Sequence, residues 1–251
     1  MGPINRILLL AGSSEARLIA SELLGHGISV QAVMSEPPRG ATPMPVPFEV
    51  IDDVTSHDLT PHLLRAMAGV DAVIDASHGF DGSMTQRGAE VAAQLDVPFL
   101  SFARPPWDPG EHPLWCRAPD VARAMAFVGP AARVFSATGW ASLPEYAGFP
   151  GACLMLRQTS PHGRKPPFDF VELVFGDPPF SVDSEVALFE QLRVDVLICR
   201  NLGGQPSRPK LEAAKRLNLR VILIDRPELP PRVNTVASLR EVMAWLGLAE
   251  K

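Results

Sequence analysis

Short apolar blocks alternate along this chain with segments in which apolar residues recur three and four positions apart. The first block, 6–11, ends at Gly12, and Ala16, Ile19 and Leu23 then follow at helical spacing. Such alternation predicts buried parallel strands, each followed by a helix that packs on the sheet. The other predicted strands lie at 28–34, 48–51, 70–76, 98–103, 133–139, 153–157, 170–175, 194–199 and 220–224. The other predicted helices lie at 55–68, 83–95, 120–128, 182–192, 209–217 and 238–246.

The strand–helix alternation occurs twice, and its theme changes near residues 117–131. This pattern predicts an α/β protein with two Rossmann-like domains, whose mostly parallel sheets face each other across a cleft. The predicted boundaries place an N-terminal domain at 1–117 and a C-terminal domain at 131–251. A connecting helix is predicted within 118–130.

The composition is that of an ordinary folded protein, because 46% of the 251 residues are apolar and 20% are charged. The net charge of −5 argues against a nucleic-acid partner. No apolar run is long enough to span a bilayer, and the first strand begins too early to leave room for a signal peptide. A cytoplasmic location without membrane association is therefore expected, while the oligomeric state stays open, a monomer included.

Arginine outnumbers lysine strongly, since only residues 165, 210, 215 and 251 are lysines among 23 basic residues. Arginine binds carboxylates and phosphates with two parallel hydrogen bonds, so a polyanionic ligand would explain the excess, as would genomic base composition. Cys116, Cys153 and Cys199 form no CxxC pair, and the six histidines show no metal-ligand spacing. No metal site is expected.

The turn after the first strand carries Gly12, Ser13, Ser14 and Glu15 in front of the first helix. A helix N-terminus at the end of a buried strand presents free N–H groups and the positive end of the helix dipole, which suit a phosphate. The second and third glycines of a GxGxxG fingerprint are absent. Ser13 and Ser14 either bind a pyrophosphate or only cap the helix. We predict a dinucleotide site here, in the N-terminal domain.

Further candidates follow the later strands, because ligands of doubly wound sheets bind at the carboxyl ends of the strands. After the second strand, Glu36 favours a free ribose 2′-hydroxyl and Arg39 a 2′-phosphate, so the preference between NAD and NADP is mixed. Ser77 and His78 follow the strand at 70–76, where a functional and a structural histidine are equally compatible with the pattern.

Two loops of the predicted cleft combine rigidity with charge. Arg104 and Trp107 lie in a proline-rich loop, which is either a packed crossover or a pocket wall that offers an anion contact and a stacking surface. The segment from Arg200 to Gly204 combines polar side chains with the backbone freedom of paired glycines. The segment 159–167 is predicted to be an exposed loop.

Six segments resemble the precorrin-6A reductase family of cobalamin biosynthesis. They occur in the order of the family's motifs, and the ordered set is more specific than any one of them. The segments are Leu9-Leu10-Ala11-Gly12-Ser13-Ser14-Glu15-Ala16, Ile74-Asp75-Ala76-Ser77-His78-Gly79-Phe80, Arg104-Pro105-Pro106-Trp107, Pro179-Phe180-Ser181 with Glu185, Asn201-Leu202-Gly203-Gly204 with Lys210, and Arg226-Pro227.

The resemblance implies an oxidoreductase that uses NADPH to reduce one double bond of precorrin-6A, a polycarboxylate tetrapyrrole, to precorrin-6B. Its cofactor contacts would be Gly12, Ser13, Ser14, Glu15, Ala16, Arg39 and Ser77. Its substrate contacts would be Arg104, Trp107, Arg200, Asn201, Gly203, Gly204, Lys210 and Arg226. His78 would be the protein's proton donor, although a water or the substrate's ring nitrogens could act instead.

The chain departs from the family pattern at several positions. Arg200 stands where lysine is usual, Leu202 where serine is usual, and Trp140 where arginine is frequent. Two other hypotheses stay open: a cofactor-free tetrapyrrole enzyme of the uroporphyrinogen-III synthase kind, and a non-enzymatic NADP-binding module. Nicotinamide binding separates the first from a reductase, and turnover separates the second.

Overall fold

The computed structural model describes residues 4–38, 43–51 and 59–248. The chain forms two compact units, of which the first comprises residues 1–105 and 227–251 and the second residues 106–226. Each unit contains one six-stranded sheet in which every pair of neighbouring strands is parallel. The predicted α/β class with two parallel sheets is confirmed.

The first unit contains six strands and four α-helices within its described residues. The strands are β1 (Arg6–Ala11), β2 (Ser29–Met34), β3 (Phe48–Val50), β4 (Ala72–Ala76), β5 (Phe99–Phe102) and, from the end of the chain, β12 (Asn234–Val236). The helices are α1 (Ser14–Gly25), α2 (Thr60–Ala66), α3 (Gly82–Gln94) and α7 (Leu239–Trp245). Their sheet order is β12-β5-β4-β1-β2-β3.

The second unit repeats this arrangement with its own strands. These are β6 (Trp115–Ala118), β7 (Arg133–Ala137), β8 (Cys153–Gln158), β9 (Val171–Phe175), β10 (Val196–Arg200) and β11 (Arg220–Ile224), in the order β6-β11-β10-β7-β8-β9. The α-helices are α4 (Val121–Ala124), α5 (Val182–Leu192) and α6 (Pro209–Arg216). Short 3-10 helices cover Pro109–Glu111, Met125–Phe127 and Trp140–Tyr146.

The continuous apolar run of β1 is explained by burial on both faces of the first sheet. Ile7 and Leu9 pack in one cluster with Ile19 of α1, whereas Leu8 and Leu10 pack in another with Leu63 and Met84 of the helices on the opposite face. Alternate residues of a strand point to opposite faces, so a strand covered on both sides needs apolar residues throughout. This is the doubly wound arrangement.

The unit boundaries differ from the predicted ones at both ends. The strand β6 follows the first unit along the chain but pairs with β11, and β12 follows the second unit but pairs with β5. The strand β6 therefore belongs to the second unit, and only β12 returns from the end of the chain to the sheet of the first unit. The predicted division at 1–117, 118–130 and 131–251 differs from this arrangement because these strands are only four and three residues long and show no distinct periodicity.

Most predicted elements are present with shifted ends. The predicted helix at 55–68 corresponds to α2, and its first part lies outside the described residues. The predicted helix at 120–128 is a single α-helical turn, α4, continued by the 3-10 helix Met125–Phe127. Within the described ranges, no helix combines the length and the apolar character required to cross a membrane.

Candidate functional site

The first sheet reverses its strand order beside β1. The chain proceeds outward through β2 and β3 and then returns to the other side of β1 with β4. Such a reversal leaves a crevice at the carboxyl ends of the two central strands, where doubly wound proteins bind their ligands. Gly12 follows β1 and Ser77 follows β4, so the sheet brings together two of the predicted cofactor segments.

The backbone of Gly12 lies so close to the segment that follows β4 that a side chain at this position would clash with it. A Cβ atom at this position would lie 2.6 Å from the backbone nitrogen of His78 and 3.3 Å from the carbonyl carbon of Ser77. Gly12 is also exposed. Because Gly12 has no side chain, the two backbone segments can pack closely, and the backbone of this turn stays accessible to solvent.

Ser13 is the N-cap of α1. Its Oγ accepts a hydrogen bond from the N–H of Ala16 at 3.3 Å, and it donates to the carbonyl of Ala76 at 2.8 Å. The Ser13 N–H donates to the same carbonyl at 3.1 Å. Of the two roles open for Ser13, the structure shows capping. The Ala16 N–H is used by the cap, so the predicted phosphate contact there is not supported.

The remaining N–H groups of the first turn of α1 belong to Ser14 and Glu15, which have no acceptor within the helix. The Ser14 hydroxyl donates to the Glu15 carboxylate at 2.9 Å, and Arg104 lies 3.4 Å from the same carboxylate. Arg104 thereby balances a negative charge that would repel a phosphate at this turn. The predicted substrate residue Arg104 belongs to the first unit, beside the predicted cofactor turn.

Asp75 anchors the segment that follows β4. Its side chain is 2% exposed and accepts hydrogen bonds from the Ser77 N–H at 3.1 Å, the Thr85 hydroxyl at 2.8 Å and the Ser101 hydroxyl at 3.0 Å. The Ser77 hydroxyl is itself buried and lies 3.2 Å from the Thr85 hydroxyl. Ser77 is therefore held in the sheet edge by side-chain hydrogen bonds, and its hydroxyl supports the turn.

His78 has a defined orientation at the same edge. Its Nδ1 accepts a hydrogen bond from the Phe80 N–H at 3.2 Å, which places the proton of the neutral ring on Nε2. His78 is half-buried, and its backbone carbonyl accepts a hydrogen bond from the Asp81 N–H at 2.7 Å. In this tautomer His78 can donate a hydrogen bond through Nε2, whereas a proton-donating role requires the imidazolium form, in which Nδ1 no longer accepts from the Phe80 N–H.

Asp81, which the sequence prediction passed over, completes this edge. It caps α3 by accepting from the Met84 N–H at 3.2 Å. Burial raises the pKa of the Asp81 carboxyl, and the nearby carboxylates of Asp75 and Glu36 act in the same direction. An aspartate just before a predicted helix is a typical N-cap signal, so the sequence offered a way to find Asp81. Arg39, the predicted contact for a 2′-phosphate, lies outside the described residues.

The second sheet reverses its order in the same manner, between β7 and β10. Gly139 follows β7 with φ of +85°, a backbone conformation that glycine adopts without strain. The guanidinium nitrogens of Arg200, at the end of β10, lie 3.8 Å from the position of a Cβ on Gly139. The predicted substrate residue Arg200 therefore lies across the turn of the neighbouring strand, at the edge where the second unit would bind a ligand.

A buried hydroxyl network holds the Gly139 turn. Tyr146 OH lies 2.8 Å from the Ser136 hydroxyl and 3.3 Å from that of Thr138. The Thr138 hydroxyl lies 2.6 Å from that of Ser142, which donates to the carbonyl of Gly139 at 2.8 Å. All four hydroxyl-bearing residues are buried. Their mutual hydrogen bonds offset the cost of burying them and connect the core to the turn.

Tyr146 gives this network a measurable pH dependence. Burial raises the pKa of Tyr146 from 10.0 to about 12. The folded state therefore keeps a proton that the unfolded chain loses, so the stabilising contribution is complete below pH 10 and is lost as the pH rises towards 12. Relative to Tyr146→Phe, we expect the wild type to lose about 2 to 3 kcal/mol of unfolding free energy across that range.

Urea titrations of both proteins at several pH values measure this difference. Tyr146 is the single tyrosine of the chain, so the near-ultraviolet absorbance of tyrosinate reports on it alone. Tyrosinate formation near pH 10 in the folded protein would contradict the expectation.

Asn201 and Trp107 join two segments that are far apart in the chain. The Trp107 N–H donates to Asn201 Oδ1 at 2.8 Å, and Asn201 Nδ2 donates to the Trp107 carbonyl at 3.1 Å. Trp107 Nε1 donates to the Gly204 carbonyl at 3.2 Å. The Trp107 side chain packs in the apolar core of the second unit and is 6% exposed. The prediction that Trp107 offers a stacking surface is therefore corrected: the side chain is buried, and its hydrogen bonds hold the 200–204 loop in place.

The rest of that loop depends on glycine and a buried lysine. Gly203 and Gly204 adopt successive left-handed conformations, with φ of +66° and +70°. Lys210 Nζ donates to the Ser207 carbonyl at 2.7 Å and lies 5.7 Å from the centre of the Trp107 ring. Burial lowers the pKa of Lys210. These contacts make Asn201, Gly203, Gly204 and Lys210 parts of the loop's framework.

Arg226 is the last residue of the second unit. It follows β11, so it lies beyond the carboxyl end of a strand next to β10. The carboxylate of the preceding residue, Asp225, forms a salt bridge with Arg117, with 2.7 Å between Oδ1 and Nε. The placement at this edge agrees with the position predicted for Arg226.

Two groups of side chains in the second unit were not singled out from the sequence as sites. Arg157 Nη2 lies 3.0 Å from both carboxylate oxygens of Glu185, and its guanidinium is over the Phe180 ring at 4.2 Å. Around Trp140, the His162 ring packs edge-on at 4.8 Å and the Arg164 guanidinium lies 5.7 Å from the ring centre. Phe180 and Glu185 belong to one of the family segments, but no local motif connects them with Arg157 or Trp140 with Arg164, because each group joins residues from different strands and loops.

Comparisons with known proteins extend over both units. The family model described as precorrin-6x reductase CbiJ/CobK matches residues 6–247. The precorrin-6A reductase of Mycobacterium tuberculosis (strain CDC 1551 / Oshkosh) is 34% identical over 245 residues, which cover 97% of this chain and 98% of that protein. That of Rhodobacter capsulatus is 34% identical over 247 residues and covers 97% and 96%. A solved structure named CobK precorrin-6A reductase has a TM-score of 0.83 and 31% identity over 97% of this chain and 96% of its own.

Proposed function

The chain belongs to the precorrin-6x reductase family CbiJ/CobK, and from this premise we propose that it reduces one double bond of precorrin-6A with NADPH, giving precorrin-6B. The observation that carries the proposal is the similarity to precorrin-6A reductases over 97% of the chain. The arrangement of each sheet supports it, because both place polar and basic side chains at the point where the strand order reverses.

The first unit is proposed to be the dinucleotide-binding unit. Its exposed Gly12 turn and the first N–H groups of α1 fit a pyrophosphate, and Arg104 balances the only carboxylate of that turn. We expect the N–H groups of Ser14 and Glu15 to contact the phosphates. Arg39 is proposed to contact the 2′-phosphate that distinguishes NADPH from NADH.

The second unit is proposed to be the substrate-binding unit. Precorrin-6A is a macrocycle with many carboxylates, for which guanidinium groups are the best matched partners. Arg200 is the last residue of β10 and Arg226 follows the neighbouring strand β11, so they lie at the same edge of the second sheet. We assign Asn201, Gly203, Gly204, Trp107 and Lys210 the task of shaping the loop that presents Arg200.

NADPH, when bound, supplies the hydride for the reduction. The protein must then orient the two ligands, and a proton must reach the carbon next to the one that accepts the hydride. His78 is the proposed source of that proton: its imidazolium form can release the Nε2 proton and return to the neutral ring, whose Nδ1 accepts from the Phe80 N–H. Water or the ring nitrogens of the substrate are the competing sources.

The proposal is tested by incubating the purified protein with precorrin-6A and either NADPH or NADH, and by following absorbance and product mass. We expect a product heavier by two hydrogen atoms and at least about tenfold higher kcat/KM with NADPH. Cofactor binding without turnover would favour a binding module, and the absence of nicotinamide binding would favour a cofactor-free enzyme. His78→Gln assayed across pH separates the proton sources: a donating histidine predicts that the variant loses a pH-dependent limb of kcat that the wild type shows, whereas an equal decrease at every pH would indicate a positioning role only.

A further inference from the structure

The loop after β8 is held in place by the side chain of His162. Its Nε2 lies 3.1 Å from Gln158 Oε1, and its Nδ1 accepts from the Arg164 N–H at 3.2 Å. The Gln158 amide nitrogen donates to the Arg157 carbonyl at 2.9 Å, which turns its oxygen towards His162. Both ring nitrogens of His162 are therefore bonded, with the proton on Nε2. The segment predicted to be a plain exposed loop has a defined conformation around Arg164.

That conformation brings Arg164 to Trp140. The His162 ring meets Trp140 edge-on, with centroids 4.8 Å apart and planes at 84°, and it also meets Phe175 edge-on, with centroids 5.5 Å apart. The Arg164 guanidinium lies 5.7 Å from the centre of the Trp140 ring, within the range of a cation–π contact. Three parallel strand ends, those of β7, β8 and β9, supply these residues.

The charges at this edge are positive on both sides of the turn after β7. Trp140 directly follows Gly139, against which the Arg200 guanidinium lies. Arg164 is exposed, and the adjacent Lys165 is exposed as well. Within the described part of the chain, no carboxylate forms an ion pair with Arg164. A guanidinium oriented by an aromatic ring, and not neutralised by a carboxylate of the unit, is suited to bind an external carboxylate.

We propose that Trp140 and Arg164 form a substrate subsite that binds one acidic side chain of the macrocycle, separate from the contact made by Arg200. This inference rests on the proposed function and names further residues for its substrate. Trp140 orients Arg164 and offers apolar contact to the methylene groups of the acid chain. His162 positions the loop through its two hydrogen bonds. The subsite contributes to substrate affinity and takes no part in the reduction.

The test uses Arg164→Gln, with Lys165→Gln as the matched control. Both substitutions remove one positive charge from neighbouring exposed positions of one loop, but the cation–π contact with Trp140 is made by Arg164. For Arg164→Gln we expect KM for precorrin-6A to rise about tenfold, with kcat and the Kd for NADPH unchanged. For Lys165→Gln we expect less than about a twofold change. Equal effects of the two substitutions, or an unchanged KM in Arg164→Gln, would overturn the subsite.

A second measurement keeps this result separate from the proposed function. The binding of uroporphyrin III, a polycarboxylate tetrapyrrole, is measured for the same three proteins by fluorescence quenching, without a cofactor. If the wild type does not reduce precorrin-6A, the proposed reaction fails, but weaker uroporphyrin binding in Arg164→Gln alone still supports the subsite. If uroporphyrin binds equally to all three proteins, or does not bind to the wild type, the subsite is refuted.

Discussion

Replacing Gly12 by alanine is expected to weaken NADPH binding by at least about tenfold. The new Cβ would lie 2.6 Å from the backbone nitrogen of His78, and neither backbone segment can yield cheaply. Ser13 is bonded to the Ala76 carbonyl on one side, and Asp75 holds the Ser77 N–H on the other. The turn must therefore move away from β4, which displaces the first N–H groups of α1 from the position in which we propose that they bind phosphate. Overpacking of this kind also costs about 1 to 3 kcal/mol of stability.

The matched control is Gly25→Ala, at the other end of the same helix. A Cβ at Gly25 would meet nothing within 4 Å. NADPH affinity should stay unchanged there, and stability should be equal or slightly higher because alanine favours the helix. Affinity is measured by the fluorescence of NADPH during titration, at a temperature where urea titration shows both variants folded. Wild-type affinity in folded Gly12→Ala would rule out the assignment of this turn to the cofactor.

Replacing Glu185 by alanine is expected to lower the free energy of unfolding by about 3 to 5 kcal/mol. The Glu185 and Arg157 side chains are 4% and 9% exposed, so removal of one partner leaves a buried charge without its counter-ion. Burial raises the pKa of Glu185 although Arg157 acts in the opposite direction, which indicates that desolvation outweighs the attraction. Glu190→Ala, at an exposed position of α5, serves as the control and should change stability by less than about 1 kcal/mol.

A double variant separates the two contributions to this loss. In Arg157→Met with Glu185→Leu, both charges are removed and the volume stays filled, so most of the stability should return. The part of the stability that does not return reflects the lost guanidinium contacts with the rings of Phe180 and Phe135, whose centres lie 4.2 Å and 5.0 Å from the Arg157 guanidinium. Urea titration of the four proteins gives the comparison. A double variant as unstable as Glu185→Ala would show that the loss comes from packing, not from the unpaired charge.

The elements that sequence analysis predicted well are those with a long periodic signal. The helix predicted at 182–192 is present as α5, and Ser181 closes a capping box with Ser184 at its N-terminus. The strand β1 was predicted from five consecutive apolar residues, and it is buried on both faces. In contrast, β6 and β12 were missed, because strands of four and three residues at a sheet edge carry no readable period.

For the candidate site, position along the strands was predictable and the partners of the side chains were not. Arg104 was expected to face the substrate, yet it pairs with Glu15 on a different element of the first unit. Trp107 was expected to offer a stacking surface, yet the hydrogen bonds with Asn201, 94 residues away, belong to a buried brace. Each of these contacts depends on which strands lie side by side, and local spacing carries no information about that order.

The sequence by itself determined that apolar strands alternate with amphipathic helices, that glycine and polar residues follow the strands, and that the ordered motifs resemble one family of reductases. These are properties of neighbouring residues, and backbone geometry translates them directly into strands, turns and caps. Only the tertiary structure decided that β6 pairs with β11 and β12 with β5, that Gly12 lies against the backbone of His78, and that Arg164 lies over Trp140. The physical reason is that such contacts depend on the strand order, which is selected by the burial and packing of the whole sheet.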